Sequence, residues 1–283
     1  MPKPDPIDLI IEAALHEDVG GKDITTSALI PPNLRVKADI QVKESGVLCG
    51  LDIAEKVFRH VDAELRFLPV ARDGEPLDEG REIAYIDGHA TSVLIGERTA
   101  LNFLSHLSGI ATHTRQFVDK VKGSGVKILD TRKTTPNLRI LEKYAVTVGG
   151  GTSHRRGLYD QALIKDNHLR ILRKEKLVDI IASVKRSVLK NVVVGVEVKN
   201  IAELKEALKS KADYILLDNM TTETVKEAVD CRKKAGVKID LEVSGGITLD
   251  NVLSYAQTGI ERISIGALTH HIQGLDVSLD IVS

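Results

Sequence analysis

Polar side chains follow the apolar, strand-like runs in the second half of the chain. The runs are VKILD (126–130), ALIK (162–165), VVVGVEV (192–198) and YILLD (214–218). The polar residues at or just after their ends are Thr131, Arg132, Lys133, Lys165, Glu197 and Asp218. Because the carboxyl ends of parallel strands meet at one edge of a sheet, we expect these side chains to lie close together. Cations beside carboxylates suit a small ligand that carries phosphates or carboxylates.

The charge of the chain is unevenly distributed. Residues 132–173 contain nine Lys or Arg and three Asp or Glu, a balance of +6, whereas the whole chain carries −1. A basic run of this kind is ordinarily a solvated face. Several of these cations follow strands, which favours a concave anion pocket. The overall charge disfavours a polycation that coats nucleic acid, and a nucleic-acid module built on residues 132–173 stays an alternative.

The two acids at successive strand ends allow two interpretations. Glu197 and Asp218 can pair with Arg132 or Lys165, or they can hold Mg²⁺, directly or through water, for a phosphorylated substrate. The residue types are compatible with both interpretations, and both can hold at once.

Glycine-rich segments supply the candidate phosphate sites. Ser244, Gly245 and Gly246 follow one predicted strand, and Ser264, Ile265 and Gly266 follow the next. Phosphate sites after the last two strands recur in (β/α) barrels, although glycine there also makes simple turns. The segment GGGTSHRRG predicts a mobile loop that carries His154 and Arg155, with a structural role for His154 as open as a binding role.

Short apolar runs alternate with helical stretches from about residue 125 onward. Further runs are KIDLEVS and RISIG, and the helical stretches include LVDIIASVKRSVL, AELKEALKSK and ETVKEAVDCRKKAG. This rhythm predicts a parallel sheet of βα units. No GxGxxG and no GxxxxGK[ST] is present, so we predict an open (β/α) barrel of six or seven parallel strands rather than a nucleotide-binding open sheet.

The first part of the chain predicts a different, smaller domain. Residues 35–95 alternate apolar and polar positions between Asp-Gly and Glu-Gly turns, which is typical of an antiparallel sheet in an α+β unit. Residues 96–112 predict a helix with Arg98, Asn102 and His106 on a polar stripe and Gly109 as its end. We therefore predict domains at 1–112 and 113–283, with the last residues packing back on the first domain.

Composition excludes several classes of protein. The chain has 283 residues, 42% of them hydrophobic and 28% charged, which is ordinary for a globular protein with a core. Cys49 and Cys231 are far apart in sequence and form no zinc motif or disulfide framework. The N-terminal stretch contains Asp5, Asp8 and Glu12, so it is a poor signal peptide. We predict a cytoplasmic protein.

Several longer strings resemble one known family, quinolinate phosphoribosyltransferase. They are EDVGGKDITT, GERTALNFLSHLSGIAT, DTRKTTPNLRILEKYAVTVGGG, HRRGLYDQALIKDNH, VEVKN, LLDN, EVSGGI and ISIGALTH, which run nearly end to end. Asn137 and Ser153 depart from the pattern, which has Gly and Asn there. The resemblance implies an N-terminal α/β domain, an open (β/α) barrel and a homodimer with shared active sites. It also implies phosphoribosyl transfer from phosphoribosyl pyrophosphate to quinolinate with decarboxylation, giving nicotinate mononucleotide, pyrophosphate and CO₂ for NAD biosynthesis.

The resemblance also implies roles for individual residues. Quinolinate would be held by Arg98 from the neighbouring subunit and by Arg132, Lys133, His154, Arg155 and Lys165. Phosphoribosyl pyrophosphate with Mg²⁺ would engage Lys133, Lys165, Glu197 and Asp218, which we take as the catalytic residues. Its 5-phosphate would lie on the backbones of Ser244–Gly246 and Ser264–Gly266. Thr131 and Arg139 complete the predicted substrate-binding residues.

Two other enzymes fit parts of this pattern. One is a paralogue of the same fold, associated with molybdenum transport, which transfers phosphoribose to a different acceptor. The other is a barrel aldolase that uses Lys165 as a Schiff-base nucleophile, which leaves the many further cations without a role.

Overall fold

The fold was analysed in a computed structural model that describes residues 5–282. The first four residues, which belong to the N-terminal stretch and the first predicted domain, and Ser283 lie outside the described residues. Between residues 5 and 282 no helix has both the length and the apolar character needed to cross a membrane.

Eleven helices and twelve strands make up the described part of the chain. The helices are α1 (Pro6–Val19), α2 (Ile24–Leu29), α3 (Leu51–Val61), α4 (Ala90–Lys120), α5 (Arg139–Val148), α6 (Asp166–Ile171), α7 (Leu177–Ser187), α8 (Ile201–Ala207), α9 (Thr222–Ala235), α10 (Val252–Ala256) and α11 (Ala267–His270). The strands are β1 (Arg35–Val42), β2 (Gly46–Val47), β3 (Arg66–Pro69), β4 (Pro76–Leu77), β5 (Glu82–His89), β6 (Lys127–Leu129), β7 (Gln161–Ile164), β8 (Val193–Val198), β9 (Tyr214–Asp218), β10 (Asp240–Ser244), β11 (Arg262–Ser264) and β12 (Val277–Ile281).

These elements form two compact units. The first contains the residues up to Arg115, Thr134–Gly150 and the residues from Thr269 onward. The second contains Gln116–Lys133 and Gly151–Leu268. Each unit therefore draws on separate stretches of the chain.

The first unit is built on an antiparallel sheet with the strand order β12-β1-β5-β3. Ala38, Ile40 and Val42 of β1 point to the same face of the sheet and are buried, and Asp39 between them is buried as well. The predicted antiparallel sheet is confirmed. Its edge strand β12 comes from the end of the chain and pairs with β1 from Ala38↔Ile281 to Val42↔Val277.

Helix α4 is longer than its sequence pattern predicts. Leu101, Leu104 and Leu107 are buried, and the predicted polar stripe is exposed at Arg98 and Asn102. Its third member, His106, is half-buried, and its Nε2 lies 2.9 Å from Oε1 of the buried Glu142. The prediction that Gly109 ends the helix is wrong, because α4 continues to Lys120. A Cβ on Gly109 would lie 2.2 Å from the carbonyl oxygen of Gln273, so this glycine permits close backbone packing instead.

Asn137 explains one departure from the family pattern. Its φ is +66°, in the left-handed region, and it lies in the loop before α5. Asn is among the few non-glycine residues that adopt this conformation at low cost. Asn therefore fulfils the backbone role for which the pattern has Gly.

The second unit is a six-stranded parallel sheet with helices between its strands. The strand order is β6-β11-β10-β9-β8-β7, with β6 and β7 at its two ends. The predicted α/β fold is thereby confirmed, with six strands. The short helices α6 and α10 were not predicted, because six and five residues are too few to show helical periodicity.

Candidate functional site

The strand register places the predicted site residues along one edge of the parallel sheet. Asp218, the last residue of β9, pairs with Ser244 of β10, which pairs with Ser264 of β11. Ile164 of β7 pairs with Val196 of β8, so the next residues along, Lys165 and Glu197, are also neighbours. Cross-strand partners share a face of the sheet, and the predicted clustering of these strand-end residues is therefore present.

Lys165 and Glu197 form an ion pair at this edge. Lys165 Nζ lies 3.1 Å from Glu197 Oε2, with the lysine side chain 49% exposed and the glutamate side chain 6% exposed. A buried carboxylate is costly without a partner, and this ammonium supplies one. The lysine remains accessible to an anionic ligand. Of the two interpretations of Glu197, the ion pair with Lys165 is therefore present.

Arg155 is a buried cation that faces other charges of the second unit. Burial, followed by repulsion from the Arg132 guanidinium, lowers the pKa of Arg155. The Glu197 carboxylate acts in the opposite direction. On the segment after β6, the amide N–H of Lys133 donates to Thr131 Oγ1 at 3.0 Å. Two guanidiniums that repel each other form a site suited to a ligand with more than one negative charge.

His154 is held from both sides by the chain itself. Its amide N–H donates to Oδ1 of the fully buried Asp130 at 2.8 Å. The amide N–H of Arg155 donates to His154 Nδ1 at 2.7 Å. His154 Nε2 lies 3.2 Å from Glu242 Oε1. The centre of this segment is thus fixed in the interior of the unit, in contrast to the mobile loop that its glycines predict.

Three residues of this network were missed by the sequence analysis. Glu242 Oε2 lies 2.9 Å from Arg262 Nε, and the Arg262 guanidinium carbon lies 4.3 Å from the centre of the Tyr214 ring. Burial raises the pKa of Glu242, but the bond from His154 and the charge of Arg262 outweigh it and hold the pKa below its ordinary value. The available signal was a glutamate and an arginine inside the apolar runs KIDLEVS and RISIG.

The Ser244–Gly246 turn requires its glycines. Gly245 has a φ of +96°, and a Cβ there would lie 2.1 Å from Asn219 Oδ1. Gly246 has a φ of +65°, and a Cβ there would meet no atom within 4 Å. The Asn251 side chain donates to the carbonyl oxygen of Gly246 at 2.9 Å. The turn is therefore fixed, with open space beside Gly246 that a phosphate can enter.

In the second candidate phosphate segment, Ser264–Gly266, one amide N–H is already hydrogen-bonded within the protein. The amide N–H of Ile265 donates to the carbonyl oxygen of Leu129 at 2.9 Å, which ties the segment to β6. Ile265 is buried, so its contribution to the predicted phosphate site is the position of the backbone rather than an N–H.

Arg98 and Arg139 belong to the first unit. The Arg98 side chain is 63% exposed and lies 3.7 Å from Glu97. Arg139 begins α5, and its Nε donates to Thr134 Oγ1 at 2.9 Å. The other predicted residues all belong to the second unit, and they are Thr131, Arg132, Lys133, His154, Arg155, Lys165, Glu197, Asp218, Ser244, Gly245, Gly246, Ser264, Ile265 and Gly266.

The acids at this edge fit one mode of metal binding. Residues 5–282 contain no group of three or more His, Cys, Asp or Glu placed to hold a metal ion. Glu197 and Asp218 lie on the adjacent strands β8 and β9. Mg²⁺ commonly uses one or two carboxylates together with water and substrate phosphates. The donor set therefore fits a magnesium ion that a phosphorylated substrate brings with it.

Comparison with known proteins agrees with this geometry. Residues 23–108 match the N-terminal domain of quinolinate phosphoribosyl transferase, and residues 110–280 match its C-terminal domain. The chain is 42% identical to a probable nicotinate-nucleotide pyrophosphorylase [carboxylating] of Methanocaldococcus jannaschii over 96% of each chain. It is also 42% identical to the nicotinate-nucleotide pyrophosphorylase [carboxylating] of Mycobacterium leprae, over 96% of this chain and 95% of the relative.

A solved structure extends the likeness to the fold. The nicotinate-nucleotide pyrophosphorylase of Francisella tularensis superposes with a TM-score of 0.92 and 36% identity, over 99% of this chain and 98% of that one. The matches run through both units. This chain belongs to the quinolinate phosphoribosyl transferase family.

Proposed function

We propose that this chain transfers a phosphoribosyl group from phosphoribosyl pyrophosphate to quinolinate and removes one carboxylate as CO₂. The products are nicotinate mononucleotide and pyrophosphate, and the reaction serves de novo NAD biosynthesis. The observation that supports this function is the carboxyl edge of the parallel sheet, where Lys165 pairs with Glu197 and where Asp218 is the register partner of Ser244. The relatives named above carry the same activity in their names.

Quinolinate is a dianion, and the cations of the second unit account for its binding. Arg132, Lys133, Arg155 and Lys165 supply the positive charge, and His154 Nδ1 accepts the amide N–H of Arg155 and so fixes the backbone of that residue. A guanidinium binds a carboxylate through two parallel N–H bonds, while the mobile lysines act as point charges. Burial of Arg155 strengthens this attraction because water screens it less.

Lys133, Lys165, Glu197 and Asp218 engage phosphoribosyl pyrophosphate in this proposal. The ring nitrogen of quinolinate attacks the anomeric carbon while the bond from that carbon to pyrophosphate breaks. Positive charge develops on the sugar, and in this proposal the carboxylates of Glu197 and Asp218 stabilise it. Lys133 and Lys165 neutralise the negative charge that collects on the pyrophosphate.

Decarboxylation then needs the substrate held in place rather than a covalent bond to the enzyme. The ribosylated ring is a pyridinium and accepts the electron pair left when the 2-carboxylate departs as CO₂. The ring carbon afterwards takes a proton from solvent. Lys165 contributes its charge in this step and forms no Schiff base.

We also propose a magnesium ion that arrives with phosphoribosyl pyrophosphate, with Glu197 and Asp218 as its protein partners, directly or through water. When bound, the ion would neutralise charge on the leaving pyrophosphate. The homodimer, with Arg98 reaching the neighbouring site, rests on the family resemblance and on the exposure of Arg98. A cytoplasmic location is proposed from the two cysteines, neither of which forms a disulfide.

The phosphate turn offers a matched pair of substitutions. Gly246→Ala places a methyl group in the space proposed for the 5-phosphate, and we expect the KM for phosphoribosyl pyrophosphate to rise about tenfold or more. Gly236→Ala is the control, because Gly236 has a φ of +67°, also has no atom within 4 Å of an added Cβ, and ends α9.

The two alanines carry the same backbone strain, about 1–2 kcal/mol each, so they should lower Tm to a similar extent. Steady-state kinetics with both variants separates binding from stability. Equal KM values in Gly246→Ala and Gly236→Ala would show that the 5-phosphate does not bind at this turn.

A further inference from the structure

Two charged side chains, Glu242 and Arg262, lie two residues before the strand ends at Ser244 and Ser264, on the same face of the parallel sheet. Glu242 precedes Ser244 by two residues in β10, and Arg262 precedes Ser264 by two residues in β11. Glu242 and Arg262 are cross-strand partners, and so are Ser244 and Ser264. Two residues along a strand return to the same face about 6.6 Å away. Glu242 shares a register row with Glu197 through Leu216, but it is fully buried, so it does not itself contact a ligand held at the strand ends.

Glu242 is fully buried and lies beside the side chains of Arg262 and His154. Its Oε2 lies 2.9 Å from Arg262 Nε, and its Oε1 lies 3.2 Å from His154 Nε2. The ring of Tyr214 packs against both partners, with its centre 4.3 Å from the Arg262 guanidinium carbon and 5.8 Å from the centre of the His154 ring. Replacing a buried ion pair with apolar residues of similar size is often neutral or stabilising, so stability alone does not account for these buried charges.

The hydrogen bonds determine the tautomer of His154. Nδ1 accepts the amide N–H of Arg155 at 2.7 Å, so Nδ1 carries no proton. The ring proton is then on Nε2, which lies 3.2 Å from Glu242 Oε1 and 3.4 Å from Tyr214 Oη. A carboxylate opposite Nε2 favours this tautomer. Both ring nitrogens are directed at protein groups.

We infer that Glu242 is a positioning residue for the proposed phosphoribosyl transfer, holding His154 as its Nε2–H tautomer and, through Nδ1, the backbone of Arg155. His154 then supports the quinolinate pocket from behind and gives no ring nitrogen to the substrate. The expected effect on the KM for quinolinate rests on the proposed function. The tautomer of His154 does not depend on the proposed function, and it can be measured without substrate.

The structural part is tested on the unliganded wild-type protein by NMR of a sample labelled with ¹⁵N-histidine. His154→Asn identifies the His154 signals by their loss. We expect a protonated Nε2 and an unprotonated Nδ1 in the wild type. A proton on Nδ1, or a doubly protonated ring at pH 7.5, would overturn the inference whether or not the protein is an active enzyme.

The kinetic part compares Glu242→Gln with Glu261→Gln. Gln at position 242 keeps the size of the side chain but has only one oxygen. Its NH₂ group must therefore face the N–H of either Arg262 or His154, and two donors then oppose each other. We expect the KM for quinolinate to rise about tenfold and the KM for phosphoribosyl pyrophosphate to change less than about twofold. Glu261 pairs with Arg232 at the amino end of β11, so Glu261→Gln removes an ion pair without changing either KM.

Substitution of His154 itself distinguishes positioning from direct binding and does not depend on Glu242→Gln folding. In His154→Asn the side-chain oxygen can replace Nδ1 as acceptor for the Arg155 amide, whereas His154→Leu has no acceptor. We expect Asn to keep the KM for quinolinate within about threefold of the wild type and Leu to raise it about tenfold or more. Equal losses in Asn and Leu, or an unchanged KM in Glu242→Gln, would overturn the inference.

Discussion

Replacing Lys165 with methionine is expected to lower kcat/KM for both substrates by about 10³-fold. Methionine keeps much of the length of the side chain but removes the ammonium that lies 3.1 Å from Glu197. The buried Glu197 carboxylate then lacks its partner, and the anionic substrates lose an accessible cation. Steady-state rates with quinolinate and phosphoribosyl pyrophosphate, each varied at saturating levels of the other, measure this loss.

Lys185→Met is the matched control for this experiment. Lys185 pairs with Asp213, next to the first residue of β9 and so at the opposite edge of the sheet. It should cost some stability and leave kcat/KM unchanged. Borohydride treatment of the wild type in the presence of substrate should also trap no adduct. A trapped adduct on Lys165 would contradict charge stabilisation and favour the Schiff-base alternative.

Replacing Arg98 with alanine is expected to lower kcat/KM for quinolinate by about 10²-fold or more, because a guanidinium paired with a substrate carboxylate is lost. In a single protomer the Arg98 side chain is 63% exposed. Arg59→Ala serves as the control, since Arg59 is a similarly exposed arginine of the first unit that pairs with Glu55. The proposed shared site predicts that only the Arg98 variant loses activity.

Mixed dimers test whether Arg98 acts in the neighbouring site. When Arg98→Ala and Lys165→Met chains are mixed and allowed to exchange, each mixed dimer of a two-fold assembly regains one unaltered site. Random pairing should then restore about a quarter of the wild-type activity. Mixtures that stay at the low activity of the separate variants would contradict a site shared between subunits.

Much of the second unit follows from local sequence patterns. β9 was predicted with its observed limits, and the predicted β6, β7, β8, β10 and β11 differ from the observed strands by at most two residues at either end. The strand-end position of Lys165, Glu197 and Asp218 could be predicted because the C-terminal edge of a parallel sheet gathers the residue after each apolar run. That prediction needs no knowledge of which strands are neighbours.

Features that depend on contacts between residues far apart in the chain could not be predicted from local sequence patterns. β12 joins β1 across more than two hundred residues, and no local pattern specifies that partner. Glu242 and Arg262 were not predicted because they lie within strands, whereas the predicted site residues were those that follow each strand. Their meeting with His154 depends on the register of β10 and β11 and on the path of the segment after α5. The length of α4 was not predicted because Gly109 is indistinguishable in sequence from a glycine that ends a helix. It is needed instead for close backbone packing, which the local sequence does not show.

The most direct test of the proposed function is to incubate the purified protein with phosphoribosyl pyrophosphate, Mg²⁺ and quinolinate labelled with ¹⁴C in its 2-carboxylate. We predict release of labelled CO₂ together with equal amounts of nicotinate mononucleotide and pyrophosphate. Release should require phosphoribosyl pyrophosphate and should be lost in Lys165→Met. Absence of labelled CO₂ from active-site-intact protein, with consumption of phosphoribosyl pyrophosphate by another acceptor, would contradict quinolinate as the substrate and favour the paralogous transferase.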